Sequence, residues 1–293
     1  MKLRVRIAVV IPAGPRDDIA DTLASVVHYT DPARVILVID DTSDPGCPAR
    51  LRALSPDVVV LPAVGGVPAG ALGGLWAKVS AGYRWLLDRY EPGLTLRLDA
   101  DALMIGRGLE EAAEQAFTAS PGVGLLGSYR AGPDGGTRDF TGVARQLRRE
   151  TGLTGLRKPR LRAALRRRVA LARRHGYLDG EHVLGSACLH SYPALAAMRR
   201  GGLLDQPWLA ASRLGDDHIL SLLTLAAGFR IGDFGGPADP LALRWQGLPA
   251  HPDDLLAARK LVTHSVRSWR ELDEREIRAR FARARAADNE GYG

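Results

Sequence analysis

Short, almost uninterrupted apolar runs alternate with stretches of helical spacing through the first part of the chain, and few architectures accept that order. VRIAVVIPAG (5–14) reads as a strand ending in a Pro-Ala-Gly turn, and RDDIADTLASVVHYT (16–30) has helical spacing through Ile19, Leu23, Val26 and Val27. RVILVIDDTSD (34–44) is a second strand, running into Asp40 and Asp41, and DVVVLPAV (57–64) a third. A helix around LWAKVSAGYRWLLDRY (75–90), a strand in LRLDADALMIG (96–106), an acidic helix in LEEAAEQAF (109–117) and a strand in VGLLGSYR (123–130) continue the series. Strands this apolar need cover on both faces, and the intervening helices supply it. The expected class is therefore α/β, with a mostly parallel sheet flanked by helices.

In such sheets ligands gather at the carboxyl ends of the strands. Asp99 and Asp101, spaced i, i+2 at one such end, can both reach one hard divalent cation, or else cap the following turn. Asp40 and Asp41 close the second strand. Together the pairs suit a base and ribose near Asp40 and Asp41 and a metal-bridged diphosphate near Asp99 and Asp101. The Gly-rich stretch VGGVPAGALGG (64–74) follows the third strand and lacks G-x-x-x-x-G-K-[ST]. It does not open the first strand–helix unit either, so a P-loop and a dinucleotide fingerprint are both rejected.

With 46% hydrophobic residues in 293, the chain can bury the core of one large domain. Cys47 and Cys188 are far apart and make no disulfide framework, which fits a reducing compartment. The apolar run at the N-terminus is too short for a signal core, and no run approaches the roughly 18 apolar residues of a membrane span, so a cytoplasmic location is expected. The net charge of +7 is unevenly spread: Arg145–Arg174 holds twelve Arg and Lys against one acid, Glu150. Within it, LRAALRRRVALARR places Leu161, Leu165, Val169 and Ala172 on one helical face. A surface-lying amphipathic helix of that kind faces anionic lipid at a peripheral contact, a polyanionic acceptor, nucleic acid or plain solvent. The arginines lack the aromatic interleaving of a nucleic-acid binder, and that reading leaves the acid pairs unexplained.

Five segments in order carry a resemblance. VVIPAGP stands where a first strand would end in VVIPxxN, IDDTS where VDDGS is usual, and LDADAL supplies DxD. GSACLHSYPALAAMRRGGLLDQ loosely follows GSxxLxRRxAL…GGFDE, and DDHILSLLTLAAGFRI closely follows EDxxLSLRLxxAGYRI. In these the chain resembles the family 2 glycosyltransferases with the GT-A fold. The resemblance implies inverting transfer of a sugar from a nucleotide-diphosphate donor to an acceptor hydroxyl, with a Mn²⁺ or Mg²⁺ ion as cofactor. It places Pro12, Ala13, Gly14, Asp40, Asp41 and Asp99 against the donor, Asp99 and Asp101 on the metal, and Asp217 as the base, with Asp216 beside it. The alternative for Asp216 is a helix cap. Asn is missing after the first strand, Asp216 replaces Glu, and GGLWAKVSAGY replaces an ARNxG element. Lys78 in that replacement reaches a phosphate or faces solvent. The sugar, base and acceptor stay open.

His264, in KLVTHSVRSW, is the candidate third metal ligand and would favour Mn²⁺. The other histidines (His28, His175, His182, His190, His218 and His251) read as surface, loop or helix-face residues. Trp208 is either a stacking platform for a sugar or a core anchor. The expected organisation is a nucleotide-sugar-binding half (1–130), a basic helical insertion (131–180), an acceptor and catalytic half (181–250) and a C-terminal helical segment (251–293) whose buried contacts are Ile277 and Phe281. A sugar-nucleotide pyrophosphorylase is the main rival, but PAGPRDDIADTL lacks its GxGTRLxPLT signature.

Overall fold

The computed structural model describes residues 1–14, 19–42, 44–63 and 72–290, so residues 64–71 of the Gly-rich stretch lie outside the described residues. The first part runs β1 (Leu3–Ala13), α1 (Ala20–Tyr29), β2 (Arg34–Asp40), α2 (Cys47–Leu54), β3 (Val58–Pro62), α3 (Gly73–Arg89) and β4 (Tyr90–Leu98). Next come β5 (Leu103–Met104), α4 (Leu109–Ala119), β6 (Val123–Gly127) and two basic helices, α5 (Thr141–Thr151) and α6 (Pro159–Arg173). They are followed by β7 (Ala187–Ser191), α7 (Tyr192–Arg200), α8 (Asp216–Ala226) and β8 (Arg230–Asp233). The chain closes with β9 (Leu241–Leu243), α9 (Pro252–Ala257), β10 (Val262–His264), the pair β11 (Ser268–Trp269) and β12 (Leu272–Asp273), and α10 (Glu274–Glu290).

Seven strands form the central sheet in the order β3-β2-β1-β4-β7-β6-β8. All neighbours are parallel except around β7, which runs antiparallel to both β4 and β6. The expected mostly parallel α/β sheet flanked by helices is what forms. Successive residues of β1 serve opposite faces: Ile7, Val9 and Ile11 pack with Leu23 and Val26 of α1, whereas Ala8 and Val10 pack with Trp76 and Tyr83 of α3. Cover on both sides is why this strand shows no polar alternation.

Two topological details build the site. The reversal of β7 places the residues before it beside the end of β4, and the Asp99 amide donates to the Ser186 carbonyl at 2.8 Å. A second, smaller sheet, β5-β10-β9, pairs Thr263 with Leu103 in antiparallel register and so returns His264 to the turn that holds Asp101.

The basic segment is integral to the domain. Leu161, Leu165, Val169 and Ala172 do share one face of α6, but that face is buried in the same cluster as Leu220 and Leu223 of α8. Full burial of a leucine such as Leu165 contributes about 1.5–3 kcal/mol. The apolar stripe is thus committed to the core, which corrects the picture of a helix lying on the surface; Arg160, Arg166, Arg167 and Arg173 face outward, while Arg168 is buried with the stripe. Ile277 and Phe281 of α10 are buried against Leu255 and Val266. Arg278 and Arg285 tie the same helix to Asp21. Cys47 and Cys188 are buried free thiols. Among the described residues no helix is long and apolar enough to cross a membrane.

Candidate active site

A cavity of about 440 Å³ opens at the carboxyl end of β4 and is lined by Arg97, Asp99, Asp216, Asp217 and His264 among others. At one end Asp99, Asp101 and His264 bring one ligand atom each to within 4.8 Å of one another. The His264 ring is oriented by its Nδ1–H, which donates to the Arg244 carbonyl at 2.7 Å. Its Nε2 then lies 3.2 Å from Asp101 Oδ1 and 3.7 Å from Asp99 Oδ2. In the neutral ring that nitrogen is a lone pair aimed at two carboxylates, a donor set that a proton or a divalent cation satisfies. The second Asp101 oxygen accepts from Ser265 Oγ and Arg267 Nε, each at 2.8 Å. Burial pushes the Asp101 carboxyl upward, but His264, Ser265 and Arg267 outweigh it and hold it well below the usual carboxylate range. Neither carboxylate is spent on capping the turn, which is closed by a backbone bond from the Ala102 amide to the Asp99 carbonyl.

Between the two acid pairs lies Arg97, 1% exposed. Its Nη1 donates to Asp99 Oδ1 at 2.6 Å and to the Gly185 carbonyl, and its Nη2 pairs with Asp216 Oδ2 at 2.9 Å. Burial disfavours the charge, but Asp216 and Asp99 more than restore it and keep the guanidinium protonated. Asp216 is not the helix cap: Gly215 occupies that position, and the Asp216 side chain turns inward to Arg97. Burial pushes its carboxyl up, with Arg97 opposing and the Asp217 and Asp99 charges adding.

Asp217, one residue on, faces the cavity with its side chain 22% exposed. Two glycines make room for it. A Cβ at Gly185 would stand 2.7 Å from the Asp217 Cβ, and one at Gly215 would collide with the Asp217 carboxylate. Behind it, Nε2 of the buried His182 is 3.9 Å from Asp217 Oδ2. His182 donates its Nδ1–H to the Gly180 carbonyl (2.8 Å), which leaves Nε2 to accept from Arg138 Nη2 (3.1 Å). Desolvation lowers its pKa, so the ring stays neutral. His182, His190 and His218 are all buried; His182 lies in a loop and His218 on a helix, as expected, whereas His190 is an interior residue of strand β7 and not a surface, loop or helix-face position. His190 and His218 are pushed down to about 3 by desolvation, and His218 Nε2 lies 2.6 Å from the Tyr177 hydroxyl.

Pro12 and Ala13 end β1, with Gly14 just beyond it, beside Asp40, which is paired in register with Ala13. Asp40 accepts from the Thr42 amide at 2.9 Å and shapes its own turn. Lys78 bonds Asp41, so its ammonium belongs to that edge of the sheet and not to the Asp99 end. Trp208 does not line the cavity; its ring lies under Arg160, 4.6 Å from the guanidinium carbon. The aromatic ring at the cavity is Trp245, 77% exposed. Trp245, His182 and Asp217 also line a neighbouring cavity of about 650 Å³ that holds Arg138 and Arg244.

Among solved structures the chain is similar to the apo form of mouse xyloside xylosyltransferase 1, with 14% identity and a TM-score of 0.43, over 79% of this chain and 85% of that one. It is also similar to glucosyl-3-phosphoglycerate synthase from Mycobacterium tuberculosis, solved with Mn²⁺, uridine diphosphate and phosphoglyceric acid. There the identity is 17% and the TM-score 0.42, over 87% of this chain and 75% of that one. No protein-family model and no curated protein sequence matches the chain.

Proposed function

We propose that the chain is a metal-dependent, inverting glycosyltransferase that moves a sugar from a nucleotide-diphosphate donor to an acceptor hydroxyl. The observation that carries this reading is the division of one cavity. Asp99 and His264 line its floor with Asp101 converging on them from behind, and its wall carries Asp217, an acid kept clear of Arg97.

The Asp217 carboxylate takes the proton of the acceptor hydroxyl, whose oxygen bonds to the anomeric carbon. The bond from that carbon to the diphosphate oxygen breaks, and its electron pair leaves with the nucleotide. Attack from the face opposite the leaving group inverts the configuration. A divalent cation held by Asp99, Asp101 and His264 would take up the charge that develops on the diphosphate, and an imidazole in the set favours Mn²⁺ over Mg²⁺. Asp216 is buried and turned inward to Arg97, which keeps it away from the acceptor hydroxyl that Asp217 meets. The edge formed by Pro12, Ala13, Gly14, Asp40 and Asp41 receives the nucleoside, with Lys78 fixing Asp41.

A thermal-shift panel of nucleotide sugars with and without Mn²⁺ identifies the donor, since a ligand at 100 times its Kd stabilises by about 2.7 kcal/mol. The anomeric configuration of the product, read from its proton coupling constant, then checks the mechanism. Inversion is expected; retention would remove Asp217 from the role of base.

A further inference from the structure

A third cavity, of about 410 Å³, lies where α5 meets α6, and Arg149, Arg157, Lys158 and Arg213 all line it. Its one acid, Glu150, is already engaged. Oε1 accepts from Gln146 Nε2 (2.9 Å) and the Arg213 amide (2.7 Å), and Oε2 accepts from Ser212 Oγ (2.6 Å). Lys158 Nζ spends one donor on the Ala211 carbonyl at 2.8 Å. Among the described residues no carboxylate pairs with the side chains of Arg149, Arg157 or Arg213. Four cations thus share one concavity with a single carboxylate, Glu150, whose hydrogen-bond partners are all neutral, and the excess positive charge favours a further anion among them.

The place of this concavity gives it a purpose. Gln146 and Arg213 also line the Asp217 cavity, so the two spaces adjoin, and Arg213 precedes Asp217 by four residues on the same approach to α8. We propose that this pocket is a subsite for a phosphate group on the acceptor, which anchors the acceptor while its hydroxyl reaches Asp217. The purpose rests on the glycosyl-transfer reading; the binding does not. Three guanidinium forks and an ammonium suit a phosphate, which accepts through several oxygens, better than a single carboxylate. The phosphate belongs to a soluble metabolite or to a lipid headgroup, and the exposed Leu153 and Leu156, next in sequence to Thr154 and Arg157, make the lipid source worth an arm of the test.

The experiment compares the full chain with the double variant Arg149→Ala/Arg157→Ala. Both residues are exposed and neither lines the Asp217 cavity, so Mn²⁺-dependent donor binding serves as an independent reference. Titration calorimetry with inorganic phosphate and with glycerol 3-phosphate, in metal-free buffer, should show binding that weakens at least tenfold in the variant, with glycerol inert. Sedimentation with phosphatidylglycerol and phosphatidylcholine vesicles separates the sources. Retention on the anionic vesicles alone, lost in the variant, assigns a lipid phosphate, whereas phosphate binding without vesicle retention assigns a soluble one. Failure of the wild type to bind any of these probes, or equal binding by the variant, overturns the subsite. If the subsite behaves as expected while no nucleotide sugar binds, the transfer reading fails and the subsite stands; the converse result separates them the other way.

Discussion

Asp99–Asp101 and Asp216–Asp217 are both acid pairs at the edge of a regular element, yet their spacing makes them opposites. Asp99 and Asp101 sit in the turn that follows β4, and that turn brings both carboxylates to His264. In the first turn of a helix, i and i+1 diverge by about 100°. Asp216 therefore turns into the protein, to Arg97, while Asp217 turns out into the cavity. Convergence suits a cation and divergence suits a proton. Arg97 links the two, at 2.6 Å from Asp99 and 2.9 Å from Asp216, while Asp101 has its own partner in Arg267.

The largest expected effect separates the helix pair. Asp217→Asn preserves size and removes the proposed base, so turnover should fall by about 10²–10⁴-fold with donor affinity almost unchanged. Asp216→Asn should instead lower stability, because it strips a charge from the buried Arg97. Turnover that vanishes in Asp216→Asn and survives in Asp217→Asn would reverse the two roles. Next in size is the link itself. Arg97→Met leaves Asp216 buried without its counter-ion, and breaking a buried pair from one side costs about 3–5 kcal/mol. The shift in the urea midpoint measures it, and an unchanged midpoint would show that the two pairs are not held by Arg97. The smallest effect concerns the aromatic rings. Trp245→Ala should raise an apparent KM by roughly 2–10-fold, the equivalent of the 0.5–1.5 kcal/mol of an aromatic contact. Trp208→Ala, away from the cavity, should leave it in place.

The sheet was legible because strands buried on both faces leave continuous apolar runs, and those around Val9, Leu37 and Leu96 were unbroken apart from Thr95 and Arg97. The charged exception was itself the missed signal. An arginine inside an otherwise apolar strand, two residues before Asp99, has to find buried acids, and it finds Asp99 and Asp216. The segments carrying Asp99, Asp101, Asp217 and His264 could be picked out locally, since each stands at the edge of an element with a recognisable pattern. His182, Arg138 and Trp245 could not. They reach the site through the reversed strand β7 and the connections around it, and nothing in their own neighbourhoods marks that long-range placement. Trp208 shows the same limit from the other side, being close to Asp217 in sequence yet stacked under Arg160. Helix α6 was visible as an amphipathic pattern, but periodicity alone does not say whether an apolar stripe meets lipid or α8.

The division of labour between the two acid pairs is tested most directly by calorimetric titration of a nucleoside diphosphate, with and without Mn²⁺, into the wild type, Asp101→Asn and Asp217→Asn. The wild type and Asp217→Asn should bind far more tightly with Mn²⁺ than without it, and Asp101→Asn should lose that difference. Retention of the Mn²⁺ effect by Asp101→Asn, or its loss from Asp217→Asn, would contradict the assignment of the cation to the strand pair and of the proton to the helix pair.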